Sequence, residues 1–233
     1  MKIALFRVVG AVLGALVLGG CGTETPSGKS TPPAPSSSPP ATTGPTASPT
    51  ASPSTTEPAP LSSDGRPMRG ELSIPAIGLT DLEVVPYRGW TDDAPGTEIQ
   101  NGGVAASPYG PRGGTGPGGI GNYQVTAHRL SSTRAFLRLP EFERGDRVRV
   151  RTEEATYVYR ITGTRETSFR SAASLRAQRA AVPGKPGQEP TRAMITLSTC
   201  ATPEDHAAGN YWSDEFDNPE HRIDKIGVLV VVR

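Results

Sequence analysis

Residues 193–200 read Ala193-Met194-Ile195-Thr196-Leu197-Ser198-Thr199-Cys200. Apolar and hydroxyl-bearing side chains alternate from Ile195 to Ser198, and a period of two predicts a β-strand rather than a helix. The run ends on a thiol at the start of a polar stretch. A second run, Tyr123-Gln124-Val125-Thr126-Ala127, leads in the same way into His128. Working outward, Leu72, Ile74 and Ala76 alternate with polar or turn residues, and Leu82-Glu83-Val84-Val85 follows. Arg147-Val148-Arg149-Val150-Arg151 alternates cleanly, as a strand with one wet face should. Thr156 to Ile161 repeats the pattern, and the β-branched run from Ile226 to Val232 reads as a buried strand. Many short strands with turn punctuation predict a mainly β fold, a small closed barrel with short helices.

Helical signals are few. One lies around Ser132 to Leu139, and another over Ser171 to Ala181, where Ser171 can cap an Ala- and Arg-rich turn or two. The Gly- and Pro-rich stretch from Gly102 to Gly121 reads as a loop. Its glycines do not suggest a phosphate cradle, because no Lys-Ser/Thr ending or helix follows.

The composition changes sharply along the chain. Lys2 and Arg7 precede an apolar run from Val8 to Leu18, too short for a comfortable membrane span of about 20 residues. It ends in Leu18-Gly19-Gly20-Cys21, which looks like a bacterial lipobox. Residues 1–21 are therefore expected to be an export signal whose Cys21 carries the lipid anchor, with an uncleaved signal anchor as the alternative. Residues 22–65 are almost entirely Pro, Ser, Thr, Ala and Gly, without the apolar periodicity a core requires. At roughly 3.1 Å per residue such a linker reaches on the order of 100 Å. Residues 66–233 make one domain's worth of chain.

The 233-residue chain holds 24 basic and 23 acidic residues, a formal net charge of +1. That balance argues against a nucleic-acid partner or a polybasic membrane surface. Cys21 and Cys200 are the only cysteines, which excludes a disulfide scaffold and a four-cysteine zinc site. A lone thiol at a strand end, beside a loop that admits substrate, is where a nucleophile belongs, although most free cysteines are buried and inert. His128 at a second strand end can exchange a proton with it. Arg222, just before the last strand, can stabilise a negative tetrahedral oxygen.

These residues carry a family resemblance. Thr196-Leu197-Ser198-Thr199-Cys200 resembles the T-L-x-T-C signature of the sortases. Gly121-Asn122-Tyr123-Gln124-Val125-Thr126-Ala127-His128-Arg129 resembles their histidine strand, in the form found in actinobacterial class E and F-like sortases. Leu72-Ser73-Ile74-Pro75-Ala76-Ile77 is similar to the I-P-x-I opening strand. The resemblance implies an eight-stranded β-barrel and a cysteine transpeptidase acting on secreted proteins with a C-terminal L-P-x-T-G or L-A-x-T-G motif. By it Cys200 attacks the Thr–Gly carbonyl, His128 protonates the departing amine, and Arg222 holds the substrate backbone and oxyanion. A thioacyl intermediate then passes to a cell-wall amine, on a peptidoglycan precursor. Thr199 would contribute a hydrogen bond, and Tyr109 would help choose the second motif residue. No cofactor is implied. The enzyme would stand outside the cytoplasm, tethered to the membrane and facing the wall.

Two departures stand out. Ala127 replaces the usual glycine before the histidine, and the stretch from Thr202 to Asn218 makes an enlarged loop before Arg222, leaving Arg165 and Arg192 as rival cations. Other readings are blander. His206 and His221 lack clean metal-ligand spacing with Cys200, so no metal is expected. Tyr211 and Trp212 are expected to pin the enlarged loop to the barrel. Ser198-Thr199-Cys200-Ala201-Thr202 lacks the signature of an L,D-transpeptidase. A non-catalytic peptide-binding lipoprotein with a degenerate barrel remains the rival of another class.

Overall fold

The computed structural model describes residues 64–233. The expected lipobox at Cys21 and all but the end of the expected linker lie outside the described residues. Eight strands close into a barrel: β1 (Gly70–Ile74), β2 (Leu79–Arg88), β3 (Ala105–Tyr109), β4 (Gly121–Thr126), β5 (Arg147–Arg151), β6 (Thr156–Ser168), β7 (Ala193–Cys200) and β8 (His221–Val232). Around the barrel they run β1-β2-β3-β4-β7-β8-β6-β5. Three short helices, α1 (Ala94–Asn101), α2 (Ala172–Arg179) and α3 (Thr202–Ala207), sit in the connections. Among the described residues no helix is long and apolar enough to cross a membrane.

The pairing follows from the side-chain pattern. β4 and β7 run parallel, with Tyr123 opposite Ile195 and Val125 opposite Leu197. All four side chains are buried and turned into the barrel, where they join Leu72, Ile74, Val148, Val150 and Tyr159. Alternate residues of the same strands therefore point outward. In β5 the outward arginines, Arg147, Arg149 and Arg151, are exposed, as the alternation predicts.

Several local expectations need correction. Residues 132–139 form turns, not a helix, and only a short 3-10 turn follows over Leu139–Glu141. Ser132 and Arg134 take φ of 52° and 55°, a left-handed backbone that an α-helix cannot contain. Phe136 and Leu139 are core residues delivered by these turns. The stretch read as loop over 102–121 contains β3. Pro108 is tolerated there because β3 meets β4 only at Ala106–Thr126. The last strand begins five residues earlier than Ile226, so Arg222 lies within it, and most of residues 226–232 are half-buried.

The second helix forms as expected. Ser171 is its N-cap and accepts from the Ser174 N–H at 3.2 Å. The sequence reading did not anticipate α1, whose second and third residues are Pro95 and Gly96. Proline suits a first helical turn. Gly96 is needed because a Cβ there would sit 2.3 Å from the Tyr87 hydroxyl.

Candidate active site

Cys200 closes β7, and its two neighbours around the barrel bring the other candidates to it. On one side β8 is antiparallel and places Arg222 directly opposite Cys200. On the other side Thr126 of β4 lies in register with Ser198, so His128, two residues on, follows the same line. Residues paired in register share a sheet face. The thiol is partly exposed at this lip, as is His128.

Arg222 is 2% exposed and carries several contacts. Its Nη1 donates to Cys200 Sγ. Its Nη2 donates to Asn218 Oδ1 at 2.7 Å and pairs with Asp92 Oδ1 at 2.9 Å. The guanidinium lies 4.7 Å from the Phe169 ring centre. Burial opposes its charge, but Asp92 and the Cys200 sulfur outweigh burial and raise its pKa. Burial likewise pushes the Asp92 carboxyl above its usual range, against the pull of Arg222 and Arg179. The rival cations lie elsewhere. Arg192 precedes β7, at the opposite end of that strand from Cys200, and is exposed. Arg165 faces Asp224 in the register, further along β8 than Arg222.

His128 Nε2 lies 2.8 Å from Asn101 Oδ1, the last residue of α1. An amide oxygen can only accept, so Nε2 carries the proton in this contact. Burial first, and the Arg222 charge second, hold the imidazole pKa below its usual value. The adjoining Arg129 is buried. It forms an ion pair with Glu204 of α3 and donates to the Cys200 carbonyl at 3.2 Å. The Thr199 hydroxyl is also buried and donates to the Ala127 carbonyl at 2.8 Å. It fastens the thiol strand to the histidine strand, so it is not free for a substrate. Tyr109 ends β3 and lines a separate depression with Arg88, Trp90 and Arg112.

The enlarged loop is ordered from within. Asp214 accepts from the N–H groups of Phe216 and Asn218, both at 2.9 Å. This turn presents Asn218 to Arg222. Tyr211 does not pin the loop to the barrel: it is 73% exposed and packs on His206 of the same loop at 4.8 Å. Trp212 is half-buried beneath Arg170 of the β6–α2 corner, 5.9 Å away. His221 Nδ1 meets Asp205 Oδ1 at 2.6 Å.

Asp92, Asn218 and Asn101 were not singled out from the sequence. Each is a short polar residue next to a Gly, Pro or acidic neighbour, which reads as turn chemistry. Only Asp93, an N-cap accepting from the Gly96 N–H at 2.9 Å, left a legible sign that a helix begins there.

A family model, the sortase domain, matches residues 72–212. The chain belongs to the sortase family. This sortase therefore has the barrel and cysteine transpeptidase character of its family. Its fold is similar to that of the SrtA sortase from Actinomyces oris, with a TM-score of 0.54 at 19% identity, covering 77% of this chain and 89% of that one. It is also similar to sortase E1 from Streptomyces coelicolor, solved with a tripeptide in the active site. There the TM-score is 0.53 at 19% identity, over 74% of this chain and 93% of that one. Sortase E from Streptomyces avermitilis gives a TM-score of 0.50 at 23% identity, over 73% and 92%. A comparison with curated protein sequences finds no match.

Proposed function

We propose that this sortase cleaves secreted proteins at a C-terminal L-P-x-T-G or L-A-x-T-G motif and joins them to a cell-wall amine through a thioacyl enzyme. The observation that carries the reading is the register: Arg222 opposite Cys200 on one side, and His128 continuing the Thr126–Ser198 pairing on the other. The Cys200 thiolate attacks the Thr–Gly carbonyl, forming a carbon–sulfur bond. As the tetrahedral oxygen collapses, the carbon–nitrogen bond breaks and His128 gives its proton to the glycine amine. An acceptor amine on a peptidoglycan precursor then attacks the thioester, His128 takes up its proton, and Cys200 leaves as thiolate.

Arg222 supplies the charge that steadies the tetrahedral oxygen. Arg129 and Thr199 act through the backbone, holding the two strand ends together. Asn101 orients the imidazole. The tripeptide in the active site of the Streptomyces coelicolor sortase E1 supports a peptide substrate here. Tyr109 is assigned to discrimination at the second motif position. Cys21 is assigned as the lipidated anchor, which puts the enzyme outside the cytoplasm with the wall in reach of the linker.

The deciding experiment incubates a fluorogenic sorting-motif peptide and an amine acceptor with the wild type, Cys200→Ala and His128→Ala. Amide product from the wild type alone is expected, and equal turnover in all three overturns the reading. Incorporation of a metabolic lipid label that survives Cys21→Ala removes the anchor assignment.

A further inference from the structure

Alternate outward residues of β4, β7 and β8 form a polar floor beside Cys200. Asn122, Gln124 and Thr126 come from β4, Thr196 and Ser198 from β7, and Asp224 from β8. All are buried. A buried polar floor is costly unless its groups are satisfied, and part of this one is. Ser198 Oγ, Thr167 Oγ1 and Gln178 Nε2 donate to the Asp224 carboxylate, and Thr196 Oγ1 donates to Asn122 Oδ1.

The remainder is not. Among the described residues, eight buried side-chain polar atoms lack a hydrogen-bond partner, and six of them belong to residues tied to one place: Gln124, Thr126 and Gln178 line the gap around Thr91, Arg179 donates to the Thr91 carbonyl, and Asp92 pairs with Arg222. The six atoms are Gln124 Nε2, Thr126 Oγ1, Gln178 Oε1, Arg179 Nε, Arg222 Nε and Asp92 Oδ2. What covers that place is the turn after β2. Thr91 sits between Gln124, Thr126, Gln178 and Ser198, and the gap around it is too narrow for water. Asp92 continues into the Arg222 guanidinium.

The turn is anchored at its outer end and weakly matched at its tip. Outside, Tyr87 Oη donates to the Trp90 carbonyl at 2.6 Å, and the Asp93 carboxylate accepts from the N–H groups of Trp90 and Gly96. Arg112 lies on the Trp90 ring at 3.7 Å. Inside, the tip is held by Thr91 Oγ1 on Gln124, by Arg179 Nη2 on the Thr91 carbonyl at 3.0 Å, and by the Asp92–Arg222 pair. Asp92 takes the left-handed φ of 64° to reach it. Buried donors and acceptors left idle by their cover fit some other occupant better. An extended peptide, offering N–H and C=O groups in turn, is such an occupant. The Asp92 carboxylate also holds an Nη2 that a tetrahedral oxyanion, of the same charge, would need.

We propose that Thr91–Asp92 is a self-blocking plug in the peptide groove. It lies where the sorting peptide beside the scissile bond would lie, with Asp92 standing on Arg222 in place of the oxyanion, and an incoming peptide displaces it. The inference rests on the transpeptidase reading for the identity of the peptide, but not for the plug itself.

The test uses the full chain with Arg179→Met, which releases the Thr91 carbonyl, and Asp92→Asn, which removes the negative charge that faces Arg222. Alkylation of Cys200 by iodoacetamide, followed by peptide mapping, reads access without any substrate. The KM and kcat for the fluorogenic peptide read displacement. Each variant should alkylate about tenfold faster, with KM falling by a similar factor. Alkylation unchanged in both variants, with kcat lowered and circular dichroism native, overturns the plug and makes the turn a fixed support for Arg222. Faster alkylation in both, with no peptide turned over even by the wild type, keeps the plug and removes the substrate reading. Unchanged alkylation with normal peptide turnover does the reverse.

Discussion

The two faces of β4 and β7 come from the same residues taken alternately, yet they are built on opposite terms. The inner face, with Tyr123, Val125, Ile195 and Leu197, belongs to the hydrophobic core, and of its side-chain atoms only the Tyr123 hydroxyl is polar. The outer face, with Gln124, Thr126, Thr196 and Ser198, is as deeply buried but polar, and part of it is unsatisfied. Hydrophobic burial alone would favour apolar residues on both faces. The difference separates what holds the barrel together from what is arranged around the thiol.

The sharpest way to break that separation is Cys200→Ala. Turnover should vanish while the unfolding midpoint stays within experimental error, and a large loss of stability would show the thiol to be structural. Arg222→Met comes next. It should lower kcat by roughly 10²–10³-fold, as expected for removing an oxyanion partner. An unchanged kcat with a raised KM would make Arg222 a ground-state binder only. On the inner face, Leu197→Ala should cost about 2–5 kcal/mol in urea unfolding with little loss of activity per folded molecule. An activity loss as large as that of Arg222→Met would mean that the two faces are not independent.

Smaller effects sharpen the electrostatics. By NMR titration, His128 should titrate below the ordinary histidine range because burial and Arg222 both disfavour its charged form. Arg222→Met removes one of these causes, so the titration should move upward, and a downward move refutes the assignment. His221 works in the other direction. Burial opposes its charge, but Asp205, with Glu166 and Glu220, outweighs burial and raises its pKa. Its contribution is therefore fully present below the unfolded histidine value of about 6.5 and is lost as pH rises through the raised one. Because the ring is part exposed, His221→Gln should change the pH dependence of stability by less than about 1 kcal/mol.

The inner face was the legible part. Alternation marks a strand when one side is uniformly apolar, which is why Ile195–Cys200 and Arg147–Arg151 could be read directly. β3 could not, because Ala-Ala-Ser-Pro-Tyr carries more turn chemistry than strand chemistry and is held by its neighbours. The turns at 132–138 could not be read, because the left-handed backbone at Ser132 and Arg134 leaves no mark in the residue pattern. In the site, Cys200 and His128 stood out as candidates at strand ends, and the role expected of Arg222 came with the family resemblance. Asp92 and Asn218 gave no such sign. What matters about them is which strand end their turns reach across space, and no local periodicity encodes that.

The order in which the barrel closes has a consequence of its own. β8 is the last of the eight strands along the chain, yet it is inserted between β7 and β6 and carries Arg222. A chain made from its N-terminus has the thiol and the imidazole in place while the slot between those two strands is still vacant. The guanidinium arrives only with the strand that fills the slot, so completing the sheet is also the step that sets Arg222 opposite Cys200.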